Sequence, residues 1–268
     1  MTLQASHLTL RYGRRAVLRD VGLDFDPTGI TGIVGPNGSG KSSLLRCLAG
    51  LCAPSQGSVS MDGRAIRDWP ARKLSRRLAF LPQSPQAPDG LTLRDLVAHG
   101  RFSHRGFFRT GRGDQAAIDH ALEQTGLTAL AGRAFDSLSG GERQRGWIAM
   151  ALAQQSGMLL LDEPTTWLDI GHQIEVLELL RRLNRQDGLG IVMVLHDLNH
   201  AAAYADRIVA IKDGAVCADG PPHQVVVPAL IQNLFGVAAQ VVDLGTEHAQ
   251  RPHVVVTSAS RNVAYGHG

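Results

Sequence analysis

The chain has 268 residues, 44% of them hydrophobic, 19% charged and 5% aromatic. That composition excludes a disordered chain and suits one or two globular domains. A formal net charge of +3 is too small to point to nucleic acid, and no window approaches 18 unbroken apolar residues, so no transmembrane helix is expected.

The N-terminal run MTLQASHLTLRYGRR alternates apolar and polar residues and has no apolar core, so a secretory signal is not expected. Cys47, Cys52 and Cys217 are odd in number and contain no CxxC pair, which argues against a disulfide framework or a zinc cluster. They read as small buried residues of a reducing cytosol. Lysines number only 3 among the 27 basic residues, which makes Lys41 conspicuous.

In chain order, LTLRYG (8–13) and AVLRDVGLDF (16–25) alternate in period 2 and predict strands. GITGIVG (29–35) predicts a buried strand that runs into a glycine turn, with a helix over 41–49. Between them Gly35-Pro36-Asn37-Gly38-Ser39-Gly40-Lys41-Ser42 matches G-x-x-x-x-G-K-[ST], in the strand-to-helix context that a phosphate loop requires. The glycines let backbone N–H groups wrap phosphates, and the helix start adds partial positive charge. Lys41 is placed to reach the β- and γ-phosphates, and Ser42 to ligate Mg²⁺. Next, 55–66 reads as a hairpin turning at Asp62-Gly63, and RRLAFLPQ as a strand ending near Gln83, where a side-chain amide can touch Mg²⁺ or an attacking water.

Residues 84–155 differ in texture. They show helical spacing over 92–100, 114–126 and 141–155 and no strand signal, so they read as a helical insertion in an α/β domain. The last of these helices follows Leu138-Ser139-Gly140-Gly141, a second glycine-led helix start with no lysine after it.

Strands then resume with the apolar run Met158–Leu161, followed by Asp162 and Glu163. Parallel sheets place their ligands at the carboxyl ends of their strands. Asp162 can therefore hold Mg²⁺ through water, and Glu163 can polarise the attacking water as general base. A helix over 171–186 leads to the strand GIVMVLHD, whose His196 points at the γ-phosphate region. His196 and His200 also have the spacing of a zinc pair, but Asp197 stands where the HExxH glutamate would be. A structural, hydrogen-bonded histidine is the plainer alternative. A helix (198–205), strands at 206–214 and 215–220 and two strand-like runs at 239–245 and 253–258 complete the chain before a polar end.

GPNGSGKSS, Gln83, LSGGERQR, LLLDEP, WLD and LHD, in that order, resemble the nucleotide-binding subunits of ATP-binding cassette (ABC) transporters. The resemblance covers residues 1–235. It implies an α/β P-loop NTPase core with a parallel sheet, an N-terminal antiparallel β subdomain and a helical subdomain inserted at 84–155. Residues 236–268 are then a short C-terminal extension. It implies ATP with Mg²⁺, the metal held by Ser42, Gln83 and Asp162. It also implies a head-to-tail pair of copies that encloses two ATP molecules. Gly35 through Ser43 hold the phosphates of each ATP, and Ser139, Gly140 and Gly141 of the other copy meet its γ-phosphate. Asp169 couples the two sites across the interface, and Tyr12 stacks on adenine. Lys41, Glu163, His196 and Gln83 then form the hydrolytic set, and Gln83 relays closure to the permease.

Single cassettes without fused membrane helices suit importers whose permease is a separate chain. LSGGERQRGWIAMALAQ, the stretch from Leu159 to Asn184 and the segment LTLRDLVAHGRFSH resemble ATPases of iron(III)–siderophore importers most, with haem and cobalamin importers as cousins. Trp167 and Gly146 depart from that pattern, where Tyr and Ala are more usual. The resemblance implies a permease and a periplasmic or lipoprotein substrate-binding protein as partners, no nucleic acid, and a peripheral place on the cytoplasmic face of the inner membrane. The contrasting reading is a soluble ABC ATPase acting on nucleic acid or ribosomes, a class that usually carries two cassettes or a long coiled-coil insertion. In 100–113, Arg101, Arg105, Arg109 and Arg112 interleave with Phe102, Phe107 and Phe108 and no acid. That stretch is expected to dock the permease or an anionic lipid surface, with a solvated loop as the alternative.

Overall fold

The computed structural model describes residues 1–104, 112–245 and 251–259. Strands β1 (Leu3–Tyr12), β2 (Arg15–Phe25) and β3 (Ile30–Val34) precede helix α1 (Lys41–Leu48), β4 (Gln56–Met61) and β5 (Arg64–Ala65). Then come α2 (Ala71–Ser75), β6 (Leu78–Leu81), α3 (Leu93–His99), α4 (Arg112–Gln124) and α5 (Gly140–Ala153). β7 (Met158–Leu161), α6 (Ile170–Asp187), β8 (Gly190–Val194), α7 (Leu198–Tyr204), β9 (Arg207–Lys212) and β10 (Ala215–Gly220) follow. The last elements are α8 (Pro222–Val225), α9 (Pro228–Phe235), β11 (Val237–Asp243) and β12 (Pro252–Ala259).

Six strands form the central sheet in the order β10-β9-β3-β8-β7-β6, parallel throughout except for β10 at the edge. Its strands are near-continuous apolar runs because both faces are covered. Successive side chains alternate between faces. Met158, Leu160, Val192 and Val194 join Leu44, Leu45 and Leu48 of α1 in one core, closed by the antiparallel sheet β2-β1-β4-β5. Leu159, Leu161, Ile191 and Met193 join the helices of the opposite layer. The turn at Asp62-Gly63 has both residues left-handed, at φ 53 and 73, as a two-residue hairpin loop requires.

Parallel strands end on the same edge of their sheet. Gly35 follows β3 directly, and Gln83, Asp162 and His196 follow β6, β7 and β8 within two residues. One rim therefore receives all four segments without further design.

Several expectations are corrected. β1 starts at Leu3, five residues before the expected LTLRYG, because the buried set Leu3, Ala5, Leu8, Leu10 skips a step at a bulge around His7 (φ 49). The period-2 pattern is broken there, so the first half of the strand does not read as one. α8 and α9 were not expected; each is short and opens with proline, Pro222 or Pro228. The cysteines are not uniformly buried: Cys47 is, Cys52 is intermediate, and Cys217 is exposed on edge strand β10. Arg101 is not part of a solvated basic face. It is 5% exposed and donates to Asp114 Oδ1 (2.9 Å), the Ala153 carbonyl (2.7 Å) and Gln155 Oε1 (2.8 Å), so it ties together the start of α4 and the end of α5. Phe102 is exposed; Arg105, Phe107, Phe108 and Arg109 lie outside the described residues.

The strand-like runs expected at the C-terminus are the antiparallel hairpin β11–β12. It docks on α7 through Asn199. The Asn199 amide donates to the Val254 carbonyl at 3.3 Å and its Oδ1 accepts from Val254 N–H at 2.7 Å.

Candidate functional site

The loop between β3 and α1 is shaped by its neighbours. Gly35 has φ 148, and a Cβ there would lie 2.0 Å from the Ile211 carbonyl of β9, so only glycine passes. Gly40 caps α1 in a left-handed conformation (φ 104) and offers no side chain to the helix start. No acid stands in the first turn of α1 either. Its first N–H groups are left for an external acceptor. Ser39 Oγ is buried with no hydrogen-bond partner. A multi-oxygen anion would satisfy both.

Lys41 is buried and its Nζ donates to the carbonyls of Gly35 (2.8 Å) and Pro36 (2.9 Å), which stretches it along the loop. Burial lowers its pKa, and the nearby charges of Glu163 and Asp162 oppose that shift. Ser42 Oγ donates to Asp162 Oδ1 at 2.8 Å, across the gap between α1 and β7. Burial raises the Asp162 pKa; the Ser42 bond works against this and the Glu163 charge adds to it. Two hard oxygen ligands thus sit side by side. No group of three or more His, Cys, Asp or Glu that could hold a metal exists among the described residues. The oxygen pair of Ser42 and Asp162 fits Mg²⁺ that arrives with phosphate oxygens of its own, the usual mode for this ion.

Glu163 is the hub of the rim. Its backbone is left-handed (φ 55), which costs a non-glycine residue about 1–2 kcal/mol. Its Oε1 lies 2.7 Å from His196 Nε2. Its Oε2 accepts from the Gln83 amide and, at 3.1 Å, from the Thr166 hydroxyl. The structure thus joins Gln83, Glu163 and His196 directly, with Gln83 bonded to the acid. Thr166 was not anticipated. It stands three residues after Glu163 in a turn, where its backbone N–H also bonds the Glu163 carbonyl at 3.2 Å.

A 290 Å³ cleft opens beside these groups, lined among others by Tyr12, Arg15, Asn37, Lys41, Ser43 and Glu163. Tyr12 is 54% exposed at the end of β1, and its hydroxyl lies 3.8 Å from Cys52 Sγ. That contact and burial raise its pKa, so the ring is neutral and free to stack. Arg15, also missed from sequence, is brought there because it pairs with Tyr12 across the hairpin.

Ser139, Gly140 and Gly141 do not line that cleft. They start α5 with a capping box: Ser139 Oγ accepts from Glu142 N–H at 3.3 Å, and the Glu142 carboxylate accepts from Ser139 N–H at 2.8 Å. The hydroxyl is used as acceptor only, so its proton remains available to a ligand. A Cβ on Gly141 would lie 2.2 Å from His172 Cδ2. His172 in turn bonds Asp169, the N-cap of α6, at 2.9 Å. The segment starting α5 and the segment starting α6 therefore pack together through His172, which no sequence motif marks. The unexpected Gly146 has a local cause. A Cβ there would press on Leu93 at 2.9 Å and Phe135 at 3.0 Å. Phe135 also meets Trp147 edge-on, with ring centroids 5.3 Å apart. The other departure, Trp167, is 88% exposed with φ 67, two residues before Asp169.

The family model described as ABC transporter matches residues 18–166. Over 242 residues the chain is 43% identical to the ferric enterobactin transport ATP-binding protein of Escherichia coli, covering 90% of this chain and 89% of that one. It is also 43% identical over 242 residues to the iron(3+)-hydroxamate import ATP-binding protein of Bacillus subtilis, with 90% of each chain covered. A dimeric structure of a bacterial ABC transporter cassette superposes with a TM-score of 0.73 at 30% identity, covering 82% of this chain and 98% of that one.

Proposed function

Because the chain belongs to the ABC transporter ATP-binding proteins, we propose that it is the ATP-hydrolysing subunit of an importer for iron(III)–siderophore complexes. The observation that carries the ATPase reading is the joined set Lys41, Ser42–Asp162 and Gln83–Glu163–His196 on one rim. The substrate class is supported by relatives whose own names state transport of ferric enterobactin and iron(3+)-hydroxamate.

The backbone of 35–43, with Lys41 Nζ, holds the β- and γ-phosphates of ATP. Ser42 and Asp162, with Gln83 nearby, would hold Mg²⁺, which would supply positive charge against the phosphate oxygens. Glu163 takes the proton of the attacking water, and His196 Nε2 bonds the same carboxylate and the γ-phosphate, keeping water and phosphorus in line. Tyr12 stacks on adenine.

The glycine-led start of α5, Ser139-Gly140-Gly141, does not line the cleft of its own chain, which supports a two-copy site. Ser139, Gly140 and Gly141 of one copy close over the ATP bound by the other, as in a dimeric cassette. Asp169, fixed by His172 beside Gly141, transmits that closure between the two sites. The cassette is assigned to residues 1–235, with the helical subdomain at 84–155 moving against a separate permease. No helix among the described residues is long and apolar enough to cross a membrane. Relatives that are named as transport or import ATP-binding proteins support a peripheral subunit on the cytoplasmic face, with a periplasmic or lipoprotein binding protein delivering the siderophore.

The test is uptake of radiolabelled iron–enterobactin, haem and cobalamin by a strain lacking this chain. Restoration of siderophore uptake by the wild type but not by Glu163→Gln is expected. Restored haem or cobalamin uptake alone would overturn the substrate assignment.

A further inference from the structure

The turn between β1 and β2 carries an arginine cluster that the hydrolytic site does not use. Arg11, Arg14, Arg15 and Arg19 all line one concavity of 670 Å³. The tight register, with Arg11 opposite Ala16 and Tyr12 opposite Arg15, folds the first three together. Arg19 joins them because its backbone N–H bonds the Gly214 carbonyl at 2.8 Å. That bond makes the β9–β10 turn, with Asp213 and Gly214, the opposite wall.

The cluster is not a salt-bridge network. Of the two carboxylates in the concavity, Asp20 is held by His7 Nδ1 at 2.8 Å. Among the described residues none of the four guanidiniums has an ion-pair or side-chain hydrogen-bond partner. Four guanidiniums against the carboxylates of Asp20 and Asp213 leave the hollow net positive, and concave walls focus that potential. Guanidinium forks match phosphate oxygens in pairs. The hollow also adjoins the phosphate loop: Arg15, Val17 and Gly38 line both it and the nucleotide cleft.

We propose that this concavity is an anion-capture site, which takes the phosphate tail of the incoming nucleotide and passes it over Arg15 and Gly38 into the cleft. The inference rests on the reading of 35–42 as a nucleotide loop. Capture by field and transient contact acts on arrival, so it raises the association rate constant. It leaves the dissociation rate constant to Lys41, the loop and Tyr12. Its strength falls with ionic strength, since the Debye length shrinks from about 30 Å at ~0.01 M to about 3 Å at ~1 M.

The experiment is stopped-flow association of a fluorescent, ribose-labelled ATP with the full-length chain, in the wild type and in the triple variant R11Q/R14Q/R19Q. Arg15 is left intact because it lines the cleft. At ~20 mM ionic strength the variant's association rate constant should fall about tenfold. At ~0.5 M the difference should shrink below about twofold, with the dissociation rate constant unchanged at both. Equal association rate constants at low salt would overturn the proposal. So would a loss residing in the dissociation step, which would make the arginines direct ligands of bound nucleotide. If the wild type itself failed to bind the labelled ATP, the nucleotide reading would fall and the capture step with it.

Discussion

Helix α1 begins at Gly40 with no capping side chain and no acid in its first turn, whereas α5 begins at Ser139 with a capping box and Glu142 inside it. Both starts are glycine-led, yet one lacks a cap from its own chain and the other has one. An N-cap side chain stabilises a helix by about 1 kcal/mol, so leaving α1 uncapped forgoes that contribution unless a ligand replaces it. In the proposed function, phosphate completes the start of α1. α5 is capped by its own chain and still offers the Ser139 proton to a neighbour. In the proposed two-copy site one chain supplies a receptor half and a preformed lid half, and the second glycine pair then needs no lysine.

Lys41→Ala should affect only the receptor half. The Nζ that lies along the loop is a charged donor, and its loss should weaken ATP binding by about 3 kcal/mol, roughly a hundredfold in Kd. Isothermal titration on the monomer would measure this, and an unchanged Kd would remove Lys41 from the phosphate site.

Asp162→Asn sharpens the receptor half through pH. Burial raises the Asp162 pKa above its ordinary 3.8, so the native chain holds that proton more tightly than the unfolded one. Well below pH 3.8 the group is neutral in both states and costs nothing. As pH rises through the raised folded pKa, the native state has to ionise a buried carboxylate and stability is lost. The ligand-free Asn variant should therefore melt about 3 °C higher than the wild type at pH 7, with the gap closing toward pH 4. A gap independent of pH would contradict the assignment.

Ser139→Ala tests the lid half at its weakest point. It removes the α5 cap and should lower ligand-free stability by about 1 kcal/mol in urea unfolding, with ATP affinity of the monomer unchanged. Weakened monomer binding would mean that α5 reaches the cleft of its own chain.

Much of this site was legible because phosphate chemistry fixes residue types at fixed spacings, and a parallel sheet brings the ends of its strands to one edge. Lys41, Ser42, Asp162, Glu163 and His196 stand at the helix start and strand ends that the sequence marks, and their roles belong to the proposed function. What was not legible depends on contacts between segments distant in sequence. Gly141 is required by His172, and Gly146 by Leu93 and Phe135. Arg101 looked like part of a basic surface run, yet it is buried among acceptors from α4 and the end of α5. The first half of β1 was hidden by a bulge at His7, and the docking of β11–β12 by a single amide at Asn199. None of these leaves a periodic trace in the chain.

The central claim is that a complete site needs two copies. Sedimentation of Glu163→Gln with and without ATP tests it most directly, because slowed hydrolysis preserves the closed state. The account predicts an ATP-dependent dimer with two nucleotides, and a nucleotide-bound monomer when Ser139→Arg is added. A Glu163→Gln chain that stays monomeric at saturating ATP, or that dimerises equally well with Ser139→Arg, would contradict it.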